Sequence, residues 1–210
     1  HTDIAFRLSI ATCLLCQNSN LNEIEGEWES VGDPTDSACA VFGWKLKESV
    51  DRYRRRHPRF REFTFDRTRK RMTTIHEFDG KKWAFSKGAL GPFMGIATHI
   101  YEDGELIPLT GRHKDRISEI NLEYASRSYR VLALCARRIT DDVEIDSVDS
   151  VEQEMVFLGL VGIMDPPRPE VLDSISKCKA AGIRVTMITG DQRMTAMAVG
   201  KEIGIVMDDS

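Results

Sequence analysis

The chain has 210 residues, of which 41% are hydrophobic and 30% are charged, a composition typical of a folded globular protein and not of a disordered one. Its formal net charge of -4 argues against a protein that binds nucleic acid or acidic membranes through bulk positive charge, although a local anion site remains compatible with it. Every apolar run is shorter than the roughly 20 residues that a membrane span needs, so no transmembrane helix is predicted.

The first predicted element is a helix between Asp3 and Asn18, where apolar residues recur at helical spacing. It carries a C-x-x-C pair, Cys13 and Cys16. Structural zinc needs four ligands, and neither a second cysteine pair nor a nearby histidine follows. We therefore expect both cysteines on the apolar face of the helix. Five cysteines in a chain of this size predict a reducing, cytoplasmic setting and not a disulfide framework.

A second helix is predicted after a polar stretch, Asn18 to Glu29, that is typical of a loop. The sequence Asp33-Pro34-Thr35-Asp36 indicates a helix start, because proline is favoured in the first turn and carboxylates suit the positive end of the helix dipole. This helix is predicted to run to about Val50. The basic run that follows, Arg52 to Arg61, is either a nucleic-acid patch or a solvated helix end and loop. The second interpretation is favoured, because the run is short and the chain is acidic overall.

The segment from Arg61 to Ala89 is predicted to be β-structure. Within it, Phe63 and Phe65 alternate with polar residues. The runs from Met72 to Phe78 and from Trp83 to Ser86 flank Asp79-Gly80, which predicts a hairpin with a turn of two residues or slightly more. A helix is predicted from Thr110 to Ser126, because apolar residues fall on one side of it. The apolar stretch from Tyr129 to Ala136 is predicted to be a buried strand.

The residue pattern changes near Met155, where a short continuous apolar run begins that is typical of a buried parallel strand. A helix is predicted from Arg168 to Ala181, a second buried strand from Ile183 to Ile188 and a second helix from Thr195 to Ile203. This order of elements predicts a right-handed parallel α/β unit.

The predicted fold class is therefore α/β in two domains. Residues 1–158 are predicted to form an antiparallel sheet with flanking helices. Residues 159–210 are predicted to form part of a Rossmann-like parallel α/β unit, similar to the core of haloacid dehalogenases.

One candidate site lies at Thr189-Gly190-Asp191, which follows a predicted strand and precedes a helix. In open α/β sheets ligands bind at the carboxyl ends of strands, so this triplet could face a phosphate near a helix N-terminus. A tight turn with an aspartate cap explains it equally well. Asp165, which follows the other strand end, either holds a ligand or anchors a rigid joint made by the two prolines after it.

A second candidate site lies between Phe65 and Ala89. Lys87-Gly88-Ala89 stands at a predicted strand end where small residues leave space, Phe65 offers a flat ring, and Met72 offers a soft apolar contact. The segment also carries positive charge, at Arg67, Arg69, Lys70 and Arg71. An aromatic face beside cations suits a nucleotide. Composition alone favours a different interpretation, an exposed strand with solvated basic residues and a core phenylalanine.

Two common nucleotide-binding fingerprints are absent from the sequence. It contains no G-x-x-x-x-G-K-[ST] loop and no G-x-G-x-x-G turn, so neither a P-loop nor a dinucleotide site is predicted.

Six short motifs, taken in order along nearly the whole chain, resemble the cytoplasmic region of P-type cation-transporting ATPases. Each is similar to a motif of that family: Gly32 to Ala38 to "GDPTE-x-A", Phe65 to Met72 to "F-[DS]-x-x-RK-x-M", Lys87 to Ala89 to "KGA", Arg130 to Ala133 to "RVLA", Asp165 to Arg168 to "DPPR", and Met187 to Asp191 to "M-[IL]-TGD". The form of the second motif is similar to that of the calcium-pump-like, type II members.

The resemblance implies an ATP site in this chain. Phe65 would stack on adenine, Lys87 and Gly88 would line the pocket, and Asp36 would form a hydrogen bond near the base. Met72 and Leu132 would form apolar walls of the pocket. Arg67 and Arg130 would bind the phosphates.

The resemblance also implies a place for the first candidate site and for Asp165. Thr189, Gly190 and Asp191 would belong to the phosphorylation domain, near the transferred phosphoryl group. Asp165 would sit at the hinge between the two domains, where the phosphate end of ATP and Mg²⁺ arrive in the full-length protein. No residue of this chain is assigned as a metal ligand.

Several features depart from the family pattern. Leu90-Gly91 replaces the "PE" that usually follows "KGA", and Asp36 replaces the commoner glutamate. The "DKTGT" segment that supplies the phosphorylated aspartate is missing, as are the "GDG-x-ND" segment and the transmembrane helices. The resemblance therefore implies a fragment that binds nucleotide but forms no phosphoenzyme.

The implied partners are ATP and the remainder of the parent pump, with its membrane and actuator domains, while nucleic acid is not expected. The fragment is expected to be monomeric and to act at the cytoplasmic face of a membrane. The alternative function is a haloacid-dehalogenase-like phosphatase with a large cap domain, which would need a D-x-D before its first strand. A third interpretation is an interaction module that uses Arg52 to Arg61.

Overall fold

A computed structural model describes residues 4–24, 27–127, 129–164, 168–189 and 193–206. The chain divides into two compact units. The first contains His1–Asp115 and Leu132–Val161, and the second contains Arg116–Val131 and Gly162–Ser210. Among the described residues, no helix combines the length and the apolar character needed to cross a membrane.

The first unit opens with three helices and a small hairpin: α1 (Ile4–Leu15), β1 (Asn20–Ile24), β2 (Glu27–Val31), α2 (Pro34–Lys45) and α3 (Val50–Arg56). The helix predicted from apolar spacing is confirmed as α1. The polar stretch predicted to be a loop instead forms the antiparallel pair β1–β2, in which Leu21 lies opposite Ser30. Leu21 also packs against a buried cluster that includes Leu14 and Ala40, so a tertiary contact holds a hairpin that the polar sequence does not indicate.

Helix α2 begins where the sequence predicts. Asp33 has extended backbone angles, and its Oδ1 accepts a hydrogen bond from the Thr35 amide at 2.8 Å, which caps the helix. The helix ends at Lys45 and not near Val50, because Lys47 adopts a left-handed conformation (φ 60°) that stops it. A new cap at Ser49 then starts α3, which contains the first half of the basic run, while Arg59 and Arg61 lie in the strand that follows.

A seven-stranded sheet forms the centre of the first unit. Its strands are β3 (Arg59–Asp66), β4 (Arg71–Phe78), β5 (Lys81–Gly88), β6 (Ala97–Glu102), β7 (Glu105–Pro108), β8 (Arg130–Ile139) and β9 (Met155–Ile163). Their spatial order is β3-β4-β5-β8-β9-β6-β7. The helices that lie between these strands along the chain are α4 (Leu90–Ile96), α5 (Gly111–Ser126) and α6 (Val148–Val151), of which α5 belongs to the second unit from Arg116 onward. The antiparallel sheet with flanking helices is thus confirmed.

The predicted hairpin is β4–β5, paired from Arg71↔Gly88 to Phe78↔Lys81. Both turn residues, Asp79 and Gly80, have positive φ, as a two-residue hairpin turn requires. Strand β9 pairs in parallel with β6, but it belongs to the large sheet instead of opening a separate α/β unit.

Both faces of the sheet are covered by apolar side chains. On one face, Met72, Phe78 and Phe85 pack against residues of α1, including Leu8 and Ala11. The other face has its own buried cluster, made of Ile75, Ala84, Ile139 and Val151. Strands buried on both faces are rigid supports for any site built on them.

The C-terminal part contains two helices, α7 (Pro169–Ala180) and α8 (Arg193–Glu202), close to the two that were predicted. The strand predicted from Ile183 to Ile188 is wrong: residues 183–189 lie in no strand, and Ile188 is 95% exposed. A short apolar run becomes a buried strand only when a neighbouring strand takes up its backbone hydrogen bonds. The parallel α/β unit is therefore seen in its helices but not in this strand, and the boundary near residue 158 stays a prediction.

Candidate functional site

Four neighbouring strands bring several predicted site residues into one row. Met72 on β4 lies opposite Lys87 on β5, and Lys87 lies opposite Leu134 on β8. Directly paired residues of antiparallel strands place their side chains on the same face. On β3 the register shifts between the Phe63↔Thr73 and Asp66↔Arg71 pairs. This bulge leaves two residues of β3, one of them Phe65, opposite Met72.

Lys87 is a buried cation, with only 5% of its surface exposed. Its ammonium forms an ion pair with Oδ1 of Asp36 and lies 3.8 Å from the sulfur of Cys39. Burial works to lower the pKa of Lys87, but Cys39, Cys16 and Asp36 together outweigh it, so the pKa is raised. The lysine therefore keeps its charge inside the fold.

Asp36 holds the other half of this pair from the first turn of α2. Its Oδ2 accepts a hydrogen bond from the Asn18 amide at 2.8 Å, and the side chain is 13% exposed. The cap before it, Asp33, has a lowered pKa: partial burial opposes the shift, but bonds from the Thr35 and Asp36 amides prevail. The start of α2 thus presents a fixed carboxylate that is still partly open to solvent.

The sequence interpretation missed Cys39, which lies one helical turn after Asp36. A hydrogen bond from Cys13 lowers the pKa of Cys39 despite burial, with help from Lys87, while the pKa of Cys13 is raised. The spacing of three residues from Asp36 could have indicated a shared helix face. Cys13 lies in α1 and Cys16 directly follows it, both buried, and all five cysteines are free thiols.

Phe65 remains 60% exposed although it lies on a sheet whose interior is well packed. Arg67, two residues later, is also exposed in the turn between β3 and β4. This turn is ordered by Asp66, whose Oδ1 accepts from the amides of Thr68 (2.9 Å) and Arg69 (2.8 Å). The bond from the Arg69 amide is the main cause that lowers the pKa of Asp66.

Gly88 allows two strands to meet closely beside this turn. A Cβ atom at Gly88 would lie 2.3 Å from the Lys70 carbonyl oxygen and 2.7 Å from Cα of Arg71. The next residue, Ala89, donates its amide to the same Lys70 carbonyl at 2.9 Å. Glycine is therefore required here by the approach of the protein's own backbone, and not only by space for a ligand.

Two of the predicted cations are not directed to a ligand. Arg69 and Arg71 both bind the carboxylate of Glu152, with N–O distances of 2.5 and 2.6 Å. The sequence interpretation had them among the charges available to a phosphate, and missed Glu152 altogether. Buried ion pairing of this kind withdraws both guanidinium groups from solvent.

The remaining predicted residues are placed separately. Leu132 is half-buried and packs against the cluster of Cys13, Cys39 and Leu134, so it lies beside the row. Arg130 is exposed at the start of β8. Thr189 is exposed and lies in no helix or strand. Asp165, Gly190 and Asp191 fall outside the described residues.

The arrangement can hold a flat polar ring. An exposed aromatic side chain offers a stacking surface, a partly open carboxylate accepts hydrogen bonds, and a buried ammonium donates them. The structure brings Asp36, Met72, Lys87, Gly88 and Leu132 together, with Phe65 next to Met72 in the sheet. A cavity of about 680 Å³ lies elsewhere, at the C-terminal end of α2, where Trp44 and Val50 line it; none of the predicted site residues does.

Comparison with known proteins identifies the family of this chain. Residues 5–170 match the family described as "P-type ATPase, cytoplasmic domain N". The chain is 37% identical over 202 residues to "Calcium-transporting ATPase 1" of Bacillus cereus, which covers 96% of the chain and 22% of that protein. It is 36% identical over 204 residues to a calcium-transporting ATPase of Listeria monocytogenes, covering 97% of the chain and 23% of that protein.

A eukaryotic relative is similar at a lower level. The endoplasmic reticulum calcium ATPase of Aspergillus fumigatus is 31% identical over 229 residues, which covers 93% of the chain and 23% of that protein. The chain thus spans less than a quarter of the length of these relatives. These matches do not favour the alternative of a haloacid-dehalogenase-like phosphatase. The chain belongs to the P-type ATPase family, in which its residues 5–170 correspond to the cytoplasmic domain N.

Proposed function

We propose that this chain binds ATP at the row formed by Phe65, Met72 and Lys87, and that it is the nucleotide-binding part of an ATP-driven cation pump. The observation that carries the proposal is the buried Lys87–Asp36 pair in the same row as the exposed ring of Phe65, in a chain that belongs to the P-type ATPase family. An ion pair and a single exposed phenylalanine each occur without a ligand, so it is their place in one row, together with the family, that favours a nucleotide.

Each member of the site has a distinct role in this proposal. Adenine stacks on the ring of Phe65. Stacking of this kind is open to every base, because every base has a flat face. The exocyclic amine of adenine donates to Asp36, and Lys87 donates to a ring nitrogen. Met72 and Leu132 exclude water from the edge of the ring. Asp36 is one methylene shorter than glutamate, so the base must lie close to the first turn of α2.

The phosphates extend toward positive charge. Arg67 is the exposed cation nearest to Phe65 in sequence, and we assign it to the phosphate chain. Arg130 is proposed as a second phosphate contact. Gly88 serves the site by letting the turn that carries Arg67 approach β5.

The residues after the sheet are assigned to the transfer step of the whole pump. Thr189, Gly190 and Asp191 are proposed to lie near the transferred phosphoryl group, and Asp165 near the joint where Mg²⁺ and the end of the triphosphate arrive. Mg²⁺ would neutralise charge on the phosphate oxygens there. In this proposal residues 159–210 belong to the phosphorylation domain.

The proposed setting follows from the family. The chain acts at the cytoplasmic face of a membrane, as a monomeric part of a pump whose membrane and actuator domains lie elsewhere in the protein. Calcium is the proposed type of cargo, because the relatives named above are calcium-transporting ATPases. Phosphoryl transfer needs a nucleophile placed in line with the phosphate, so the chain by itself is expected to form no phosphoenzyme.

Titration with ATP tests the binding proposal, with amide shifts or tryptophan fluorescence as the readout. Phe65→Ala should weaken binding about tenfold or more, since loss of one stacking contact costs roughly 1–3 kcal/mol. Lys87→Met keeps the apolar stem of the lysine and should weaken binding to a similar degree. Arg55→Ala, in the basic helix α3, is the matched control and should change little.

The pattern across variants decides between site binding and diffuse attraction. If Arg55→Ala weakens ATP binding as much as Phe65→Ala does, the ligand is held by general positive charge and the site proposal fails. Incubation with labelled ATP and Mg²⁺ tests the second part of the proposal. An acid-stable acyl phosphate on this chain would contradict it.

A further inference from the structure

Glu152 is a buried acidic residue that the proposed site does not use. Its side chain is 2% exposed, and it follows α6 on the connection between β8 and β9. Three donors converge on its carboxylate: Arg69 at 2.5 Å and Thr73 at 2.7 Å on Oε1, and Arg71 at 2.6 Å on Oε2. A carboxylate enclosed in this way holds its partners in fixed positions, because charge-assisted hydrogen bonds are short and directional.

The partners of Glu152 lead directly to the site. Arg69 uses its second terminal nitrogen to donate to the Thr64 carbonyl oxygen at 2.8 Å. Thr64 lies in the bulge of β3, and its carbonyl belongs to the peptide bond that joins it to Phe65. Glu152 is thus connected to the backbone of Phe65 through a single intervening side chain.

The same turn is braced from the β5 side. Ala89 donates to the Lys70 carbonyl at 2.9 Å, and Gly88 packs against Arg71. The turn therefore has one support from β5 and another from Glu152. Of these two supports, the one from Glu152 reaches Thr64 inside the bulge, because Arg69 donates to its carbonyl oxygen.

The charges in the turn between β3 and β4 also indicate a supporting role for Glu152. Of the four cations between Arg67 and Arg71, two are bound by Glu152, while Arg67 and Lys70 are exposed. Without Glu152, Arg69 and Arg71 would need solvent or another anion as a partner. A bound triphosphate would be such an anion. By pairing with Arg69 and Arg71, Glu152 therefore also keeps these two arginines from drawing the phosphates away from Arg67.

We infer that Glu152 is a positioning residue of the nucleotide site, which acts through Arg69 and the Thr64 carbonyl to fix the β3 bulge that carries Phe65. The inference rests on the proposed function, since it concerns the same site. It assigns Glu152 no contact with ATP. If Glu152 acts by orienting the Phe65 ring, then substituting Glu152 should change the affinity for ATP only while that ring is present.

A double-mutant cycle separates positioning from general stabilisation. Glu152→Gln should raise the Kd for ATP about tenfold in the wild-type background, as loss of an orienting partner does at metal sites. In the Phe65→Ala background the same change should raise Kd less than about twofold, because the bulge then has no ring to position. Glu154→Gln is the matched control, since Glu154 is 71% exposed and pairs with Arg137; it should leave Kd unchanged.

Two arginine variants test the positioning role independently, in case the Glu152→Gln protein does not fold. Arg69→Met removes the bond to Thr64 but leaves Glu152 paired with Arg71, and it should reproduce the loss of affinity. Arg71→Met leaves the path from Glu152 through Arg69 to Thr64 intact, and it should have the smaller effect. Amide hydrogen exchange should show lower protection at the bulge in Arg69→Met and not in Arg71→Met.

The outcomes distinguish the two proposals. If ATP does not bind the wild-type chain, or if Phe65→Ala has no effect, the proposed function fails and the positioning role fails with it. If ATP binds through Phe65 but Glu152→Gln weakens binding equally in both backgrounds, or not at all, the proposed function stands and the positioning role is overturned. The positioning role also fails if Arg71→Met weakens binding more than Arg69→Met.

Discussion

Two buried ionic clusters flank the same stretch of β4, and they differ in composition. On the face that carries Met72, Lys87 pairs with Asp36 near a thiol. On the face that carries Thr73, one carboxylate, Glu152, binds two arginines. Consecutive residues of a strand point to opposite faces, so the sheet separates the two clusters.

The difference shows which buried charges a ligand can use. The Asp36 side chain is 13% exposed and, among the described residues, is paired with one cation, so a ligand could share it. The Glu152 side chain is 2% exposed and accepts hydrogen bonds from three side chains, two of them cations, which leaves it a supporting role. A charged residue near a site thus binds a ligand or supports the residues that do, according to how its bonding capacity is already filled.

The strongest test of this comparison is removal of Glu152. Glu152→Ala should lower the free energy of unfolding by about 4 kcal/mol, because it leaves two largely buried guanidinium groups without their carboxylate. Urea unfolding measures the change. Glu154→Ala, which breaks an exposed pair, should cost less than about 1 kcal/mol. Equal losses in the two variants would contradict the supporting role of the buried cluster.

A third buried polar group on β4 carries no charge, and it predicts a pH dependence. Burial lowers the pKa of His76 from 6.5 to about 4, and its Nδ1 lies 2.9 Å from the His57 carbonyl oxygen. Between these values the unfolded chain binds a proton that the folded chain does not, so stability falls as the pH falls from 6.5 to about 4.

The size of this effect follows from the shift in pKa. We expect a loss of about 3 kcal/mol by pH 4, of which about 2 kcal/mol is already lost by about pH 5. Comparing unfolding free energies of wild type and His76→Gln across this range isolates the contribution. An identical pH dependence in both proteins would show that His76 does not titrate as described.

Removal of Lys87 should cost less than removal of Glu152. Lys87→Met leaves the Asp36 carboxylate without its ammonium, but Asp36 keeps the Asn18 amide and its favourable place in the first turn of α2. We expect a loss of about 2 kcal/mol in unfolding free energy. The double variant Lys87→Met/Asp36→Leu should recover much of that loss. A single-variant loss larger than that of Glu152→Ala would reverse the comparison.

The smallest expected effect concerns the cap that orients Asp36. Asp33→Ala should lower the unfolding free energy by about 1 kcal/mol, the usual cost of losing such a cap. Because the folded-state pKa of Asp33 is lowered, its contribution is present above the unfolded pKa and is lost as the pH falls through the folded one. Thermal unfolding near neutral pH and in acid measures this. Asp33→Asn, which can still accept the amide bond, should retain most of the stability at neutral pH.

The local signals in the sequence were sufficient for part of the fold. The Asp79-Gly80 turn and the Asp33 cap each act within a few residues, and both were predicted. An equivalent signal, Asp103-Gly104, marks the β6–β7 hairpin and was overlooked. The strand predicted from Ile183 to Ile188 failed for the opposite reason, because an apolar run says nothing about whether a partner strand is available.

The residues of the candidate site also fall into those that a local motif indicates and those that depend on a tertiary contact. Lys87, Asp36 and Phe65 belong to short motifs, so the sequence could indicate them before the structure brought Lys87 and Asp36 together. Glu152 could not be found this way, because it is 83 residues away from Arg69 and no local pattern joins them. Its role depends on a tertiary contact, as does the neutralisation of the two arginines.

The strand order has a consequence for how the domain is made. The strands β3, β4 and β5 can pair once Gly88 has been synthesised, and the β6–β7 hairpin can pair once Pro108 has. In the sheet formed by the described strands, these two pieces are joined by β8 and β9, which lie between them but come later in the chain. A nascent chain therefore carries open strand edges for several seconds at usual rates of translation. During this interval it is exposed to mispairing and to chaperone capture, and the interval cannot end before Ile163, the last residue of β9, has been synthesised.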